Sequence, residues 1–188
     1  YNGGRFPSQL LTAIGDRIAF NDREIEVLIV SEPDEFEVDA VSALMDRYQV
    51  GVALVNGQAN LGESITELNN RLQAGQQVVV SDGYSMTTSD GVLLEVLNPE
   101  RVPEATADMN PGVLVVRVSY GTMSFLLTGD LSQEGQEAIL QRGTWPLATV
   151  LQIPDHGTRG ALDTAFLEAV QPQLAVIQVD PANRRGDP

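Results

Sequence analysis

The chain has 188 residues, 43% of them apolar, with 26 acidic against 11 basic side chains and a formal charge of −15. That length can bury a sizeable core as one domain, and the charge repels phosphate backbones, which argues against tight unaided nucleic-acid binding. Every basic residue is Arg, Cys is absent and His156 is the one histidine, which excludes lysine chemistry, thiol catalysis, disulfides and a multi-histidine zinc site.

No apolar run approaches the ~20 residues of a membrane span, and the opening Tyr1-Asn2-Gly3-Gly4-Arg5 lacks a charged-then-apolar leader pattern. Leu10, Leu11, Ile14 and Ile18 fall at helical spacing between Ser8, a candidate N-cap, and Ile18. Glu24 to Val30 reads as a strand, followed by an acidic loop from Ser31 to Glu37. A second amphipathic helix carries Val38, Val41, Leu44, Met45 and Tyr48. Gly51 to Val55 is a buried strand, Glu63 to Leu72 a third helical pattern, and Gln77 to Val80 the next strand. This alternation predicts a layered sheet flanked by helices.

The middle changes character. Strands are expected at Ser85–Thr88, Val92–Leu97, Val113–Tyr120 and Met123–Thr128, with hairpin turns at Ser89-Asp90-Gly91 and Tyr120-Gly121-Thr122. Asn98 to Gly112 holds three prolines and reads as a loop. Alternation resumes with helix Gln133–Gln141, strand Thr149–Ile153, helix Leu162–Val170 and strand Leu174–Val179. Three polar loops follow strands: Ser31 to Glu37, Thr128-Gly129-Asp130, and Pro154-Asp155-His156-Gly157-Thr158. Loops at the carboxyl ends of strands are where ligands usually bind in such sheets, so their convergence is a site hypothesis.

Each feature also has a structural reading. His156 serves as a metal ligand or general base, or is simply hydrogen-bonded within its loop. Asp130 is a ligand, or an N-cap for the helix near Gln133. Five carboxylates in the nine positions from Ser31 to Asp39 suit a solvated loop and helix N-terminus. Tyr84, Tyr120 and Trp145 are too scattered for a base-stacking surface.

In that order the loops resemble the metallo-β-lactamase superfamily, and within it the ComEC family of bacterial DNA-uptake membrane proteins. The family's Thr-His-x-Asp-x-Asp-His-x-Gly-Gly falls on Ser31 to Ala40. Its Phe-Leu-Leu-Thr-Gly-Asp falls on Phe125 to Asp130, and its Pro-His-His-Gly-Ser on Pro154 to Thr158. Its Asn-x-x-Gly-His-Pro falls on Asn183 to Pro188, and Asn2-Gly3-Gly4 is similar to the Asp-Gly-Gly after its first hairpin. The resemblance implies an α/β metallo-β-lactamase-like αββα sandwich spanning residues 1–188, one domain of a longer chain whose first hairpin lies upstream.

The departures bear on activity. Acids stand where the family places histidines, at Glu32, Glu37, Asp155 and Asp187, and Phe36 replaces the motif's second Asp. Of the resembling ligand set only Asp34, Asp130 and His156 remain. One imidazole among carboxylates suits Mg²⁺, Mn²⁺ or Ca²⁺ better than a zinc pair. The resemblance therefore implies a degenerate domain acting as a binding or structural module. Its expected setting is a soluble, extracytoplasmic part of a membrane protein, beside other domains of that protein and single-stranded DNA. The alternative is an active phosphodiesterase or nuclease on a hard cation held by Asp34, Asp130, Glu32 or Glu37, Asp155 and His156, with His156 and Asp130 as its catalytic groups.

Overall fold

The computed structural model describes residues 7–31, 35–57, 70–72, 75–102 and 112–179. It divides into two compact units, Tyr1–Val79 and Val80–Pro188.

In the first unit, helix α1 (Pro7–Gly15) precedes strand β1 (Glu24–Val30), helix α2 (Glu35–Met45) and strands β2 (Gln49–Val55) and β3 (Gln77–Val79). The strands form a parallel sheet in the order β1-β2-β3, with Val27 opposite Val52 and Val30 opposite Val55. Parallel strands covered by helices read as continuous apolar runs, which is what Val27-Leu28-Ile29-Val30 and Val52-Ala53-Leu54-Val55 are. Val30, Val41, Val50, Ala53, Val55 and Leu72 make this unit's core. Gly51 is required by close approach, because a Cβ there would lie 2.7 Å from the Glu26 carbonyl oxygen. The expected acidic loop is shorter than its composition suggested, since Glu35, Phe36 and Glu37 already belong to α2. Acids in a first helical turn favour the helix dipole, and here that preference prevails over loop composition.

The second unit carries strands β4 (Ser85–Thr87), β5 (Leu93–Asn98), β6 (Val115–Tyr120) and β7 (Met123–Leu127). After these come helix α3 (Gln133–Gln141), strand β8 (Val150–Gln152), a 3₁₀ turn (Asp155–Gly157), helix α4 (Thr164–Val170) and strand β9 (Leu174–Val176). Its sheet order is β4-β5-β6-β7-β8-β9. The first four strands are antiparallel, while β7, β8 and β9 run parallel. Each parallel connection is a βαβ crossover through α3 or α4, so the segments leaving β7, β8 and β9 emerge at one edge.

Leu97, Val113, Val115, Leu126, Leu131, Ile139, Leu151, Phe166 and Val170 fill this unit's core. Burying a side chain such as Phe166 completely contributes about 1.5–3 kcal/mol. Helix α3 starts where the Ser132 hydroxyl accepts from the Gly135 N–H, so Ser132, not Asp130, is its N-cap. Asp163 caps α4 by accepting from the Ala165 and Phe166 N–H groups, which starts that helix two residues later than the apolar pattern suggested. Strand β9 stops at Val176 rather than Val179, because the next residues turn to the 3₁₀ segment. Of the third helical pattern only residues 70–72 are described, and the expected loop is described only at its two ends.

Candidate functional site

Asp130, Asp155 and His156 lie just beyond the carboxyl ends of β7 and β8, and the chain beyond β9 reaches them. Thr128, the last fully buried residue before Asp130, ties the two strand ends together. Its hydroxyl donates to the Gln152 carbonyl at 2.8 Å, and its N–H donates to Gln152 Oε1 at 3.1 Å. The Asp155 N–H donates to the Gly129 carbonyl at 3.1 Å, which brings the Thr-Gly-Asp and Pro-Asp-His-Gly-Thr segments side by side.

The turn carrying the histidine is unusual in backbone terms. Asp155 (φ 45°) and His156 (φ 53°) are both left-handed, as are Gly129 (φ 51°) and Gly157 (φ 73°). Left-handed conformations cost non-glycine residues about 1–2 kcal/mol each, and local bonds offset that cost here. The Thr158 hydroxyl donates to the Asp155 carboxylate. The Gly157 N–H donates to the Pro154 carbonyl and the Thr158 N–H to the Asp155 carbonyl. Asp155 thus braces its own turn. A Cβ on Gly157 would come within 2.9 Å of Ile177 Cγ2, so glycine is demanded twice, by its φ and by the passing chain.

His156 is held between two oxygens. Nδ1 sits 3.0 Å from the Gln178 carbonyl oxygen, and Nε2 sits 3.5 Å from Asp130 Oδ1. A carbonyl only accepts, so the first contact is a hydrogen bond when Nδ1 carries a proton. Nε2 then faces the Asp130 carboxylate. Histidines that ligate metals commonly donate their other N–H to a backbone carbonyl in this manner. Both side chains are about two-thirds shielded from solvent.

Of the residues expected at a site, the structure brings Asp130 and His156 together, with Asp155 adjacent in the chain and bonded to Thr158. Glu32 and Asp34 lie outside the described residues, as does Asp187, and Glu37 is in α2 with its side chain outside them. Among the described residues no three His, Asp or Glu side chains gather into a metal-sized cluster. One imidazole nitrogen and one carboxylate fit a single cation completed by water. They do not by themselves make the donor set of a two-metal centre.

Sequence reasoning missed Gln152 and Gln178, whose amides meet at 2.8 Å beneath this pair. Their only signal was position, each polar at the carboxyl end of an otherwise apolar strand.

No family model matches the chain. It is 27% identical to ComE operon protein 3 of Bacillus subtilis over 169 residues, 88% of this chain and 21% of that protein. It is 35% identical to the competence protein ComA of Neisseria gonorrhoeae over 95 residues, 50% of this chain and 14% of that protein. The chain therefore spans about a fifth or less of these relatives' lengths. Among solved structures it is similar to CmlA, a diiron β-hydroxylase from Streptomyces venezuelae, with a TM-score of 0.52 at 12% identity over 84% of this chain and 37% of CmlA. A mutant of the CmlA β-hydroxylase gives a TM-score of 0.56 at 14% identity, covering 87% and 40%. At such identities this likeness speaks for the fold alone, the metallo-β-lactamase-like αββα sandwich. In fold the chain is similar to the metallo-β-lactamase-like structures, and in sequence it is similar to the competence proteins ComE operon protein 3 and ComA.

Proposed function

We propose that residues 1–188 work as one domain of a longer bacterial membrane protein of DNA uptake, on the outer side of the membrane, as a binding or structural module with a degenerate metal centre. The observation that carries this reading is the similarity to ComE operon protein 3 through 88% of the chain. The sequence has one histidine for the several imidazoles of the family pattern, which supports a module rather than a two-metal hydrolase. Among the described residues no helix is long and apolar enough to cross a membrane. Single-stranded DNA would meet this domain inside the uptake complex, since a chain of charge −15 gains little from phosphates on its own.

The test is uptake of labelled DNA by cells whose gene lacks codons 1–188 in frame, beside cells carrying His156→Ala. The deletion is expected to abolish uptake and the substitution to leave it intact. Normal uptake in the deletion strain overturns the reading.

The second reading, a phosphodiesterase or nuclease on Mn²⁺, Mg²⁺ or Ca²⁺, is favoured by one observation, the Nε2 of His156 aimed at Asp130 across 3.5 Å. It requires Glu32, Asp34, Glu37 or Asp155 to complete the ligand set. Divalent-dependent cleavage of DNA, lost in both Asp130→Asn and His156→Ala, would establish it. Absence of cleavage with all three ions removes it.

A further inference from the structure

The two edges of the second unit's sheet, β4 and β9, are built differently. Edge strands offer unpaired N–H and C=O groups to any passing chain, and proteins blunt them with charges, prolines, bulges or brevity. The β4 edge is the polar Ser85-Met86-Thr87, with Asp82 before it and Asp90 after. The β9 edge has no such chemistry. From Leu174 to Val179 the sequence is Leu-Ala-Val-Ile-Gln-Val, without a charge or a proline, and its register against β8 is unbroken. All three residues of β9 are exposed, Leu174 by 58% and Val176 by 42%, and Ile177 and Val179 continue the exposed apolar run. Leu174 and Val176 direct their main-chain groups to β8, since the Leu174 N–H donates to the Thr149 carbonyl at 3.2 Å and the Val176 carbonyl accepts from the Ile153 N–H at 2.8 Å. Alternate residues along a strand bond to opposite sides, so the groups of Ala175, and of Ile177 beyond it, face the open edge.

We propose that an extended segment of the same polypeptide, outside residues 1–188, pairs with β9 as an added strand. The proposal rests on the reading of this chain as one domain of a longer protein. Strand addition draws its affinity from main-chain hydrogen bonds and its selectivity from alternate side chains, so the segment is uncharged and apolar where it adjoins Leu174 and Val176. Two arguments favour a segment of the same polypeptide over a second copy. The chain accounts for 21% of the length of ComE operon protein 3, so a protein of that build has ample further chain, and a tethered segment meets the edge at an effective concentration of about a millimolar. A second copy brings another formal charge of −15, and that repulsion opposes association.

The test is amide hydrogen exchange, read residue by residue, in the 188-residue chain and in the full-length protein in detergent. A strand amide exchanges when its pairing opens, so the Ala175 and Ile177 amides should exchange at least about tenfold more slowly in the full-length protein, while those of β6 exchange alike in both. Equal exchange at Ala175 and Ile177 overturns the proposal. So does protection of these amides in the 188-residue chain that grows with its concentration, the result expected of a second copy. Ala175→Pro removes the outward N–H and none of the bonds to β8, a substitution edge strands tolerate. It should leave the urea midpoint of the 188-residue chain unchanged and return Ile177 in the full-length protein to the fast rate. Slow exchange at Ile177 in the folded full-length variant overturns pairing at this edge. DNA uptake is not the readout: a full-length protein that takes up DNA with an unprotected β9 sinks this proposal alone, and protection in a protein without uptake leaves it standing while the functional reading falls.

Discussion

Gly157→Ala separates two reasons for a glycine at the site. Gly157 has φ of +73°, and a left-handed alanine costs about 1–2 kcal/mol. The added methyl would also lie 2.9 Å from Ile177 Cγ2 and 3.5 Å from Cδ1. Overpacking of this kind costs about 1–3 kcal/mol, and the lower end applies here because Ile177 is 42% exposed and can turn aside. The expected total is about 2–4 kcal/mol. Gly160→Ala is the internal control, with a similar φ of +84° and nothing within 4 Å of its Cβ position, so it should cost only the backbone share. Urea unfolding followed by circular dichroism gives both values. In a double-mutant cycle, Ile177→Ala should recover about 1–2 kcal/mol in the Gly157→Ala background and nothing in the Gly160→Ala background. The reasoning fails if the two glycine variants cost the same, or if Ile177→Ala does not couple to Gly157→Ala.

Three further outcomes follow from the geometry. Gln136 is fully buried, donates to the Leu131 and Ala161 carbonyls and accepts from the Asp163 N–H; Gln136→Leu strands these groups and should cost about 2–4 kcal/mol by urea unfolding, against at most about 1 kcal/mol for Gln133→Leu, whose single bond to the Gly160 carbonyl is exposed. The Thr88 hydroxyl holds the Asp90 carboxyl below its usual value. That stabilisation is present above the unfolded value near about 4 and is lost as pH falls through the lower folded one, so Thr88→Val should flatten the acid limb of the stability curve, and an unchanged limb would refute the assignment. Binding to single-stranded DNA at physiological salt should be no tighter than about 1 µM without added metal, the range of weak non-specific binding, and submicromolar titration curves would contradict it.

Much of the fold was legible because its elements follow apolar period closely. Glu24–Val30 and Gln133–Gln141 occur with the bounds the pattern gives, and both hairpins turn where Gly91 and Gly121 supply positive φ. Boundaries set by polar side chains were harder to read. The caps Ser132 and Asp163 decide where α3 and α4 begin, and hydropathy is blind to which of several nearby oxygens reaches the N–H groups. At the site, the pairing of Asp130 with His156 was legible as two strand-end motifs on neighbouring parallel strands. The left-handed turn at Asp155 and His156 was not, because nothing in either side chain demands positive φ; it is held by the local bond to Thr158 together with the distant contacts to Gly129 and Gln178. Gln152 and Gln178 are 26 residues apart, a relation set by sheet register that no local pattern carries.

We propose that this domain, similar in sequence to competence proteins, has a single imidazole where the resembling pattern has several and holds no two-metal centre. Elemental analysis of the purified chain, equilibrated separately with Zn²⁺ and Mn²⁺ and then freed of loose ions by gel filtration, tests it most directly. The account predicts no more than one ion per chain, diminished by Asp130→Asn and by His156→Ala, because one histidine and no cysteine cannot furnish the donors that zinc pairs use. Two tightly held ions per chain would contradict it.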